Sequence, residues 1–296
     1  MIEMFETCDP GAQIDLGDQE IGPFNIRNLK FDPAITVKGG RFFCPSDTPR
    51  CFRLNNCTGI HFVGGRLQGS DRSAGGFLVD GGSDVRFRSM EVSGLKHGIA
   101  HRGVDGFEVS DCSFSDMRID AIRGGGSSRV LIARNHATNF FPIATGGSGD
   151  HPDFIQFWPL ADYAGNDDIT VIDNVFEKGD GLPVQGVFMR GIYPSRPRFG
   201  QVVVRGNRIE GGLRNGIMVS GASGEVCDNV VVSLGEPLSA LRIEEFSGEV
   251  RNNCARRFVG DVPEEQNHLG EPKPQIAARE RRIILQPGET LIVSAP

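Results

Sequence analysis

"ITVIDNVFEKG", residues 169–179, is a short alternating strand, a polar turn and a second short strand, and the chain repeats this layout along its length. It returns as "VRFRSMEVSG" from Val85, "FEVSDCSFSD" from Phe107, "VLIARNHATNF" from Val130, "VVVRGNRIEGG" from Val202, "GEVCDNVVVSL" from Gly224 and "GEVRNNCARRF" from Gly248. Apolar residues at every second position mark strands with one buried side, and Gly, Asn and Asp mark the turns between them. Asn135, Asn174, Asn207, Asn229 and Asn253 hold one slot of the turn, and Met90 and Cys112 fill it in the earlier copies. From residue 90 the slot advances by 22, 23, 39, 33, 22 and 24, a basic period of 22 to 24 with insertions in two copies. "ITVKGGRF" from Ile35 and "IHFVGGRLQG" from Ile60 are looser copies that step by 25.

This period, with β-branched strands and Gly/Asn/Asp turns, predicts an all-β fold. The architecture is a single-stranded right-handed parallel β-helix, a solenoid of roughly eight to ten coils with terminal caps. Coils stack at about the 4.8 Å strand spacing, and the Asn slot becomes a ladder of side-chain amides bonded from coil to coil. Leucine-rich repeats share the period but need a Leu spacing that is missing. A sandwich needs two-residue hairpin turns, and few occur here. The expected boundaries are an N-terminal cap over 1–18, the β-helix over 19–258, and a C-terminal loop with a short hairpin around Pro287-Gly288 over 259–296.

A second element follows each turn: "HGIA" at His97, "DAIR" at Asp120, "DFIQ" at Asp153, "QGVF" at Gln185, "NGIM" at Asn215 and "SALR" at Ser239. Ile99, Ile122, Ile155, Val187, Ile217 and Leu241 then form an inward aliphatic stack. Strand side chains alternate, so Ala100, Arg123, Gln156, Phe188, Met218 and Arg242 point outward. Two residues on, the outward row continues with Arg102, Trp158, Arg190, Ser220 and Glu244, while His97, Asp120, Asp153, Gln185, Asn215 and Ser239 sit at the corner. Insertions at about 140–150, 160–167 and 194–200 stand beside this face, and insertions over one face of a solenoid commonly build its binding site.

Composition narrows the partners. A formal net charge of −7 and the absence of a basic run argue against a nucleic-acid binder. No apolar run approaches the roughly 18 residues of a membrane span. The opening "MIEMFETCDPGAQIDLGDQEIG" lacks the basic and apolar segments of a secretion signal, so synthesis is expected in the cytoplasm. Seven Cys without a C-x-x-C pair read as free thiols, Cys51 and Cys57 being the two spaced for a bridge.

In this repeat and its turns the chain, over roughly 20 to 260, resembles the pectate-lyase-like β-helix superfamily, which includes polysaccharide lyases, glycoside hydrolases and phage tailspikes. The resemblance is one of architecture; the paired-Asp and Gly-His-Gly motifs of the polygalacturonase branch and the pectate lyases' Arg and calcium-carboxylate pattern are absent. It implies a protein that binds, and in its enzymatic members depolymerises, a surface polysaccharide. Its phage members imply a homotrimer incorporated in a virion beside other virion proteins. The rival reading is a non-catalytic virion component or adhesin that uses the β-helix as a rod.

The face offers two chemistries. Glycoside hydrolysis needs two carboxyl groups, and Asp120 and Asp153 stand on equal rungs of adjacent coils, with Asp150 and Asp180 as substitutes. Elimination from a uronic acid needs a base and a cation: His151 supplies the first, and Arg102, Arg123 or Arg190 the second. Hydrolysis is the preferred of the two. The candidate catalytic residues are thus Asp120, Asp153 and His151, and the candidate substrate-binding residues Arg102, Arg123, Gln156, Trp158, Arg190 and His97. Trp158 would cover the apolar face of a sugar. No cofactor is implied; the acids would suit calcium, but no calcium-binding motif is present. Corner Asp residues also cap turns, so a purely structural role fits the same positions.

Overall fold

The computed structural model describes residues 1–143, 149–163, 165–193, 195–235 and 238–270, with the backbone of 282–286 and 289–292. The chain is a right-handed β-solenoid of about ten stacked coils. Every strand pairing within the coils is parallel, for example His97–Arg102 with Asp120–Gly125 and Ser113–Met117 with His136–Phe140.

The corner that carries the Asn slot shows why the repeat reads as it does. The residue just before the slot is left-handed in coil after coil: Ser89 (φ 54°), Asp111 (56°), Arg134 (54°), Asp173 (55°), Gly206 (66°), Asp228 (58°) and Asn252 (55°). Asp, Asn and Gly tolerate that backbone best, which explains the composition of the turn. The sharp bend aims the next side chain inward. Asn207 is fully buried; its Oδ1 accepts the Asn174 main-chain N–H and Nδ2, both at 3.0 Å, while its own Nδ2 donates to Val171 O at 2.9 Å and Asn229 Oδ1 at 3.0 Å. Asn135, Asn174, Asn229 and Asn253 repeat this arrangement. Cys112 keeps it with weaker groups: its thiol donates to Phe87 O at 3.6 Å and its sulfur accepts the Met90 N–H at 3.5 Å. Asn267, read as part of a loop, continues the ladder by accepting from Asn253 N and Nδ2.

The inward stack falls in the expected register. Ile99 pairs with Ile122, Ile122 with Ile155, Ile155 with Val187, Val187 with Ile217 and Ile217 with Leu241, and all six are fully buried. Toward the N-terminus Phe77, Phe52 and Phe24 extend the same column, so the core turns from aliphatic to aromatic.

Sheet edges at a solenoid's end invite pairing with another chain unless covered. The short helix Ile2–Thr7 lies there, with Phe5 buried and its ring 5.9 Å from that of Phe24. The first strand of the sheet, Gln13–Asp15, lies inside the segment read as a cap, and coil strands continue to His268–Leu269. Strands Arg282–Gln286 and Glu289–Ile292 form an antiparallel hairpin; its turn at Pro287-Gly288 lies outside the described residues. Cys8, Cys44, Cys51, Cys57, Cys112 and Cys227 are free thiols, so Cys51 and Cys57 are not bridged.

Candidate functional site

The outward row is also in register: Ala100 pairs with Arg123, Arg123 with Gln156, Gln156 with Phe188 and Phe188 with Met218. The corner row aligns His97 with Asp120 and Asp153 with Gln185, and the Asp153 main-chain N–H donates to Asp120 Oδ1 at 3.1 Å. The two carboxylates therefore do stand on adjacent coils, as expected. They do not line an exposed groove: Asp120 is 1% and Asp153 0% exposed. The Asp120 side chain reaches the main chain of the next coil, which covers it.

Each carboxylate is held by a histidine. Asp120 Oδ2 lies 2.8 Å from Arg123 Nη1 and 3.2 Å from His97 Nδ1, close charge contacts without an aligned hydrogen bond on that oxygen. His97 is buried, and that burial lowers its pKa against the raising effect of Asp120. Asp153 Oδ2 lies 3.0 Å from His151 Nδ1 and accepts from Gln156 Nε2 at 2.8 Å, while Asp153 Oδ1 accepts from Gln185 Nε2 at 3.1 Å. Gln185 Nε2 also lies 2.8 Å from His151 Nε2. The same amide nitrogen lies 3.4 Å from His151 Nδ1, so Gln185 packs against the edge of the ring that also faces Asp153. Burial lifts the Asp153 carboxyl to about 7, His151 opposes the rise and the Asp120 charge adds to it. The hydrogen bond to Asp153 raises His151, whose side chain is 60% exposed. His151 is thus the one imidazole of the cluster that meets solvent, anchored on a carboxyl that does not.

The loop that delivers His151 is tied down by Arg118 and Asp150. Arg118 holds Asp150 through two hydrogen bonds, at 2.7 and 3.0 Å, and Asp150 Oδ2 accepts the Ile143 N–H at 2.8 Å. Asp150 is therefore a loop clamp rather than a substitute acid. Asp180 is exposed, and its main-chain N–H binds Asn139 Oδ1 in a turn. Residues 144–148 of the insertion lie outside the described set.

The other expected binding residues divide. Gln156 and Arg123 belong to the cluster. Trp158 stands just past the end of strand Asp153–Phe157, with the Arg123 guanidinium 5.0 Å above its ring, so one of its faces is covered. Arg102 is engaged elsewhere, in a bidentate pair with Asp80, to which Tyr163 also donates. Arg190 does not reach Asp153; it lies exposed, 5.1 Å over the ring of Tyr193. The insertion carrying Tyr163 folds back over Gly103 and Gly126, where a Cβ would collide with the Tyr163 ring, and walls the far side of the face. His101 faces the core, stacked on Phe107 at 4.4 Å, with Nδ1 2.8 Å from Ser127 Oγ, and burial pushes its pKa down to about 3.

Gln185 was legible only as a corner residue, yet it touches both His151 and Asp153. Depressions of about 290 and 270 Å³ lie away from the cluster, the larger lined by Leu182, Pro183, Leu213 and Leu234. Among the described residues no three His, Cys, Asp or Glu side chains converge as a metal site, and no helix is long and apolar enough to cross a membrane.

These features define a class: a right-handed parallel β-helix whose corner carries two His–Asp pairs on adjacent coils, one sealed and one open. The chain belongs to the right-handed β-helix family, whose model, described as the right handed beta helix region, matches residues 50–231. Among solved structures it is similar to PfbA, a surface adhesin of Streptococcus pneumoniae, at 10% identity and a TM-score of 0.50, covering 88% of this chain and 75% of that one. It is also similar to the catalytic unit of an α-1,3-glucanase from Streptomyces thermodiastaticus strain HF3-3, at 14% identity, a TM-score of 0.38 and 57% of that chain. The Dettilon tailspike protein matches at 12% identity and a TM-score of 0.39, over 64% of its length. No curated protein matches the sequence.

Proposed function

We propose that the protein binds a polysaccharide across the face formed by His97–Arg102, Asp120–Gly125, Asp153–Phe157 and Gln185–Arg190, and cleaves it by acid–base chemistry at His151. The carrying observation is the exposed imidazole anchored through Nδ1 on the fully buried Asp153. A buried carboxyl bonded to Nδ1 fixes the ring and stabilises its protonated form, which leaves Nε2 as the atom that exchanges a proton with substrate. Substrate displaces the Gln185 amide from Nε2 as it arrives. Asp153 is then a positioning residue, because nothing outside the protein reaches it. That burial weighs against hydrolysis by the Asp120–Asp153 pair, since both carboxyl groups would have to touch the sugar.

The second reading is a glycan-binding protein without cleavage, favoured by the exposed His151 standing on a wall-flanked surface, with depressions of about 290 and 270 Å³ elsewhere. A panel of polysaccharides, followed by reducing-end release and by absorbance near ~235 nm, separates the outcomes: hydrolysis raises the first alone, elimination raises both. His151→Ala should abolish either signal and leave glycan retention within about twofold. Retention without any release gives the protein to the second reading.

A further inference from the structure

The N-terminal end of the same face holds more positive charge than its neighbours neutralise. Arg53, Leu78, Ala100 and Arg123 are consecutive members of the outward row. Arg50 lies one residue before Cys51, whose N–H binds Gly75 O at 2.9 Å, and so falls in line with Gly75 and His97 at the corner. Gly75 has no side chain to block the way: a Cβ there would sit 2.8 Å from Arg50 Nη1. The Arg50 side chain runs through that gap, and its charge is felt by His97. Arg50, Arg53 and Arg123 thus bound a floor of small or apolar residues, Gly75, Leu78 and Ala100.

Their counter-charges are few. Arg123 has Asp120, and Asp80 is taken by Arg102 and Tyr163. Among the described residues neither Arg50 nor Arg53 has a carboxylate in ion-pair contact; Arg50 donates only to the neighbouring Pro49 carbonyl, and Arg53 Nε is buried without a partner. Burial, then the charges of Arg123 and Arg53, lowers the pKa of Arg50. A protein of net charge −7 has no shortage of carboxylates, so three arginines gathered around one floor need another reason. Guanidinium groups bind carboxylate, sulfate and phosphate through paired N–H donors, and more strongly where water is partly excluded.

We infer that Arg50, Arg53 and Arg123 form a subsite for an anionic substituent of the bound glycan, so that the ligand is an acidic polysaccharide. This rests on the proposed glycan face but not on cleavage. The protein's single Trp lies under Arg123 and reports on it. Titration of Trp158 fluorescence with sodium glucuronate and with sodium sulfate, at constant ionic strength, should saturate, while glucose gives no change. Arg50→Gln and Arg53→Gln together should weaken the anion effect about tenfold or more, with an unchanged melting curve. Arg53→Lys, which keeps a charge, should retain part of it. The inference is overturned if neither anion gives a saturable change, if glucose acts equally, or if the folded double variant binds as the wild type does. Loss of cleavage in His151→Ala with anion binding intact leaves the subsite standing. Anion binding with no glycan retained supports the subsite and sinks the glycan face. Retention of neutral glycans alone, without anion binding, sinks the subsite and keeps the face.

Discussion

Asp153→Asn turns the burial of a carboxyl into a measurable pH dependence. The Asp153 carboxyl is raised from 3.8 to about 7 in the fold, with burial as the largest cause. Between those limits the native state holds a proton that the unfolded chain releases. Its contribution to stability is therefore full below pH ~4 and falls by about 1.4 kcal/mol per pH unit as pH rises toward ~7. Three units give about 4 kcal/mol at most, and about 1 to 4 kcal/mol is the expected span. The wild-type curve alone would conceal it. His101, pushed down to about 3, has the opposite slope, because the unfolded chain takes up a proton there that the buried ring refuses. The difference between Asp153→Asn and wild type cancels His101 and leaves Asp153 together with the His151 it raises, whose contribution has the same sign. Urea unfolding at about pH 4.5, 5.5, 6.5 and 7.5 should show the variant gaining on wild type by that span as pH rises. A difference that stays constant across the window would mean Asp153 ionises as an ordinary surface acid, and the dyad reading would fall with it.

Asn207→Ala leaves the Asn174 N–H and Nδ2 without their acceptor, at about 1–3 kcal/mol per orphaned group. Asn207→Cys should be milder in the same denaturation assay, because Cys112 already fills that slot with a thiol. Ile155→Ala should cost about 2–5 kcal/mol of unfolding free energy, as truncation of a fully buried stack member does. NMR titration should place His151 above its ordinary 6.5 and His97 below it; a single shared midpoint near the ordinary value would contradict the two environments.

The repeat was legible because each of its causes is local. A left-handed corner selects Asp, Asn or Gly, the slot behind it selects Asn, and alternation selects the buried stack, so the register from Ile99 to Leu241 followed from spacing alone. What failed lies where alternation stops. Parity separates inside from outside within a strand, but a corner side chain is neither, and Asp120 and Asp153 were buried by the coil above them. Trp158 was extrapolated from a strand that ends at Phe157, ahead of Pro159. Asn267 escaped notice because its coil advances by only 14 residues from Asn253. Arg50 could have been found: carrying the step of 25 back from Gly75 lands on it.

The two His–Asp pairs show what an insertion adds to a solenoid. His97 is itself a corner residue, so it is stacked between coils with Asp120 and shares the burial of Asp120, Asp153 and Gln185. The equivalent position one coil further is Asp120, and one further again Asp153, and both are buried as His97 is. His151 escapes that constraint because it stands two residues before the corner, at the end of the longest insertion, and returns onto Asp153 from outside. The loop is held against the solenoid by Arg118 through Asp150, so the ring approaches a fixed carboxyl from a fixed direction. The regular coil thus supplies a buried, desolvated acid as a by-product of stacking, and the insertion supplies the one group that can use it.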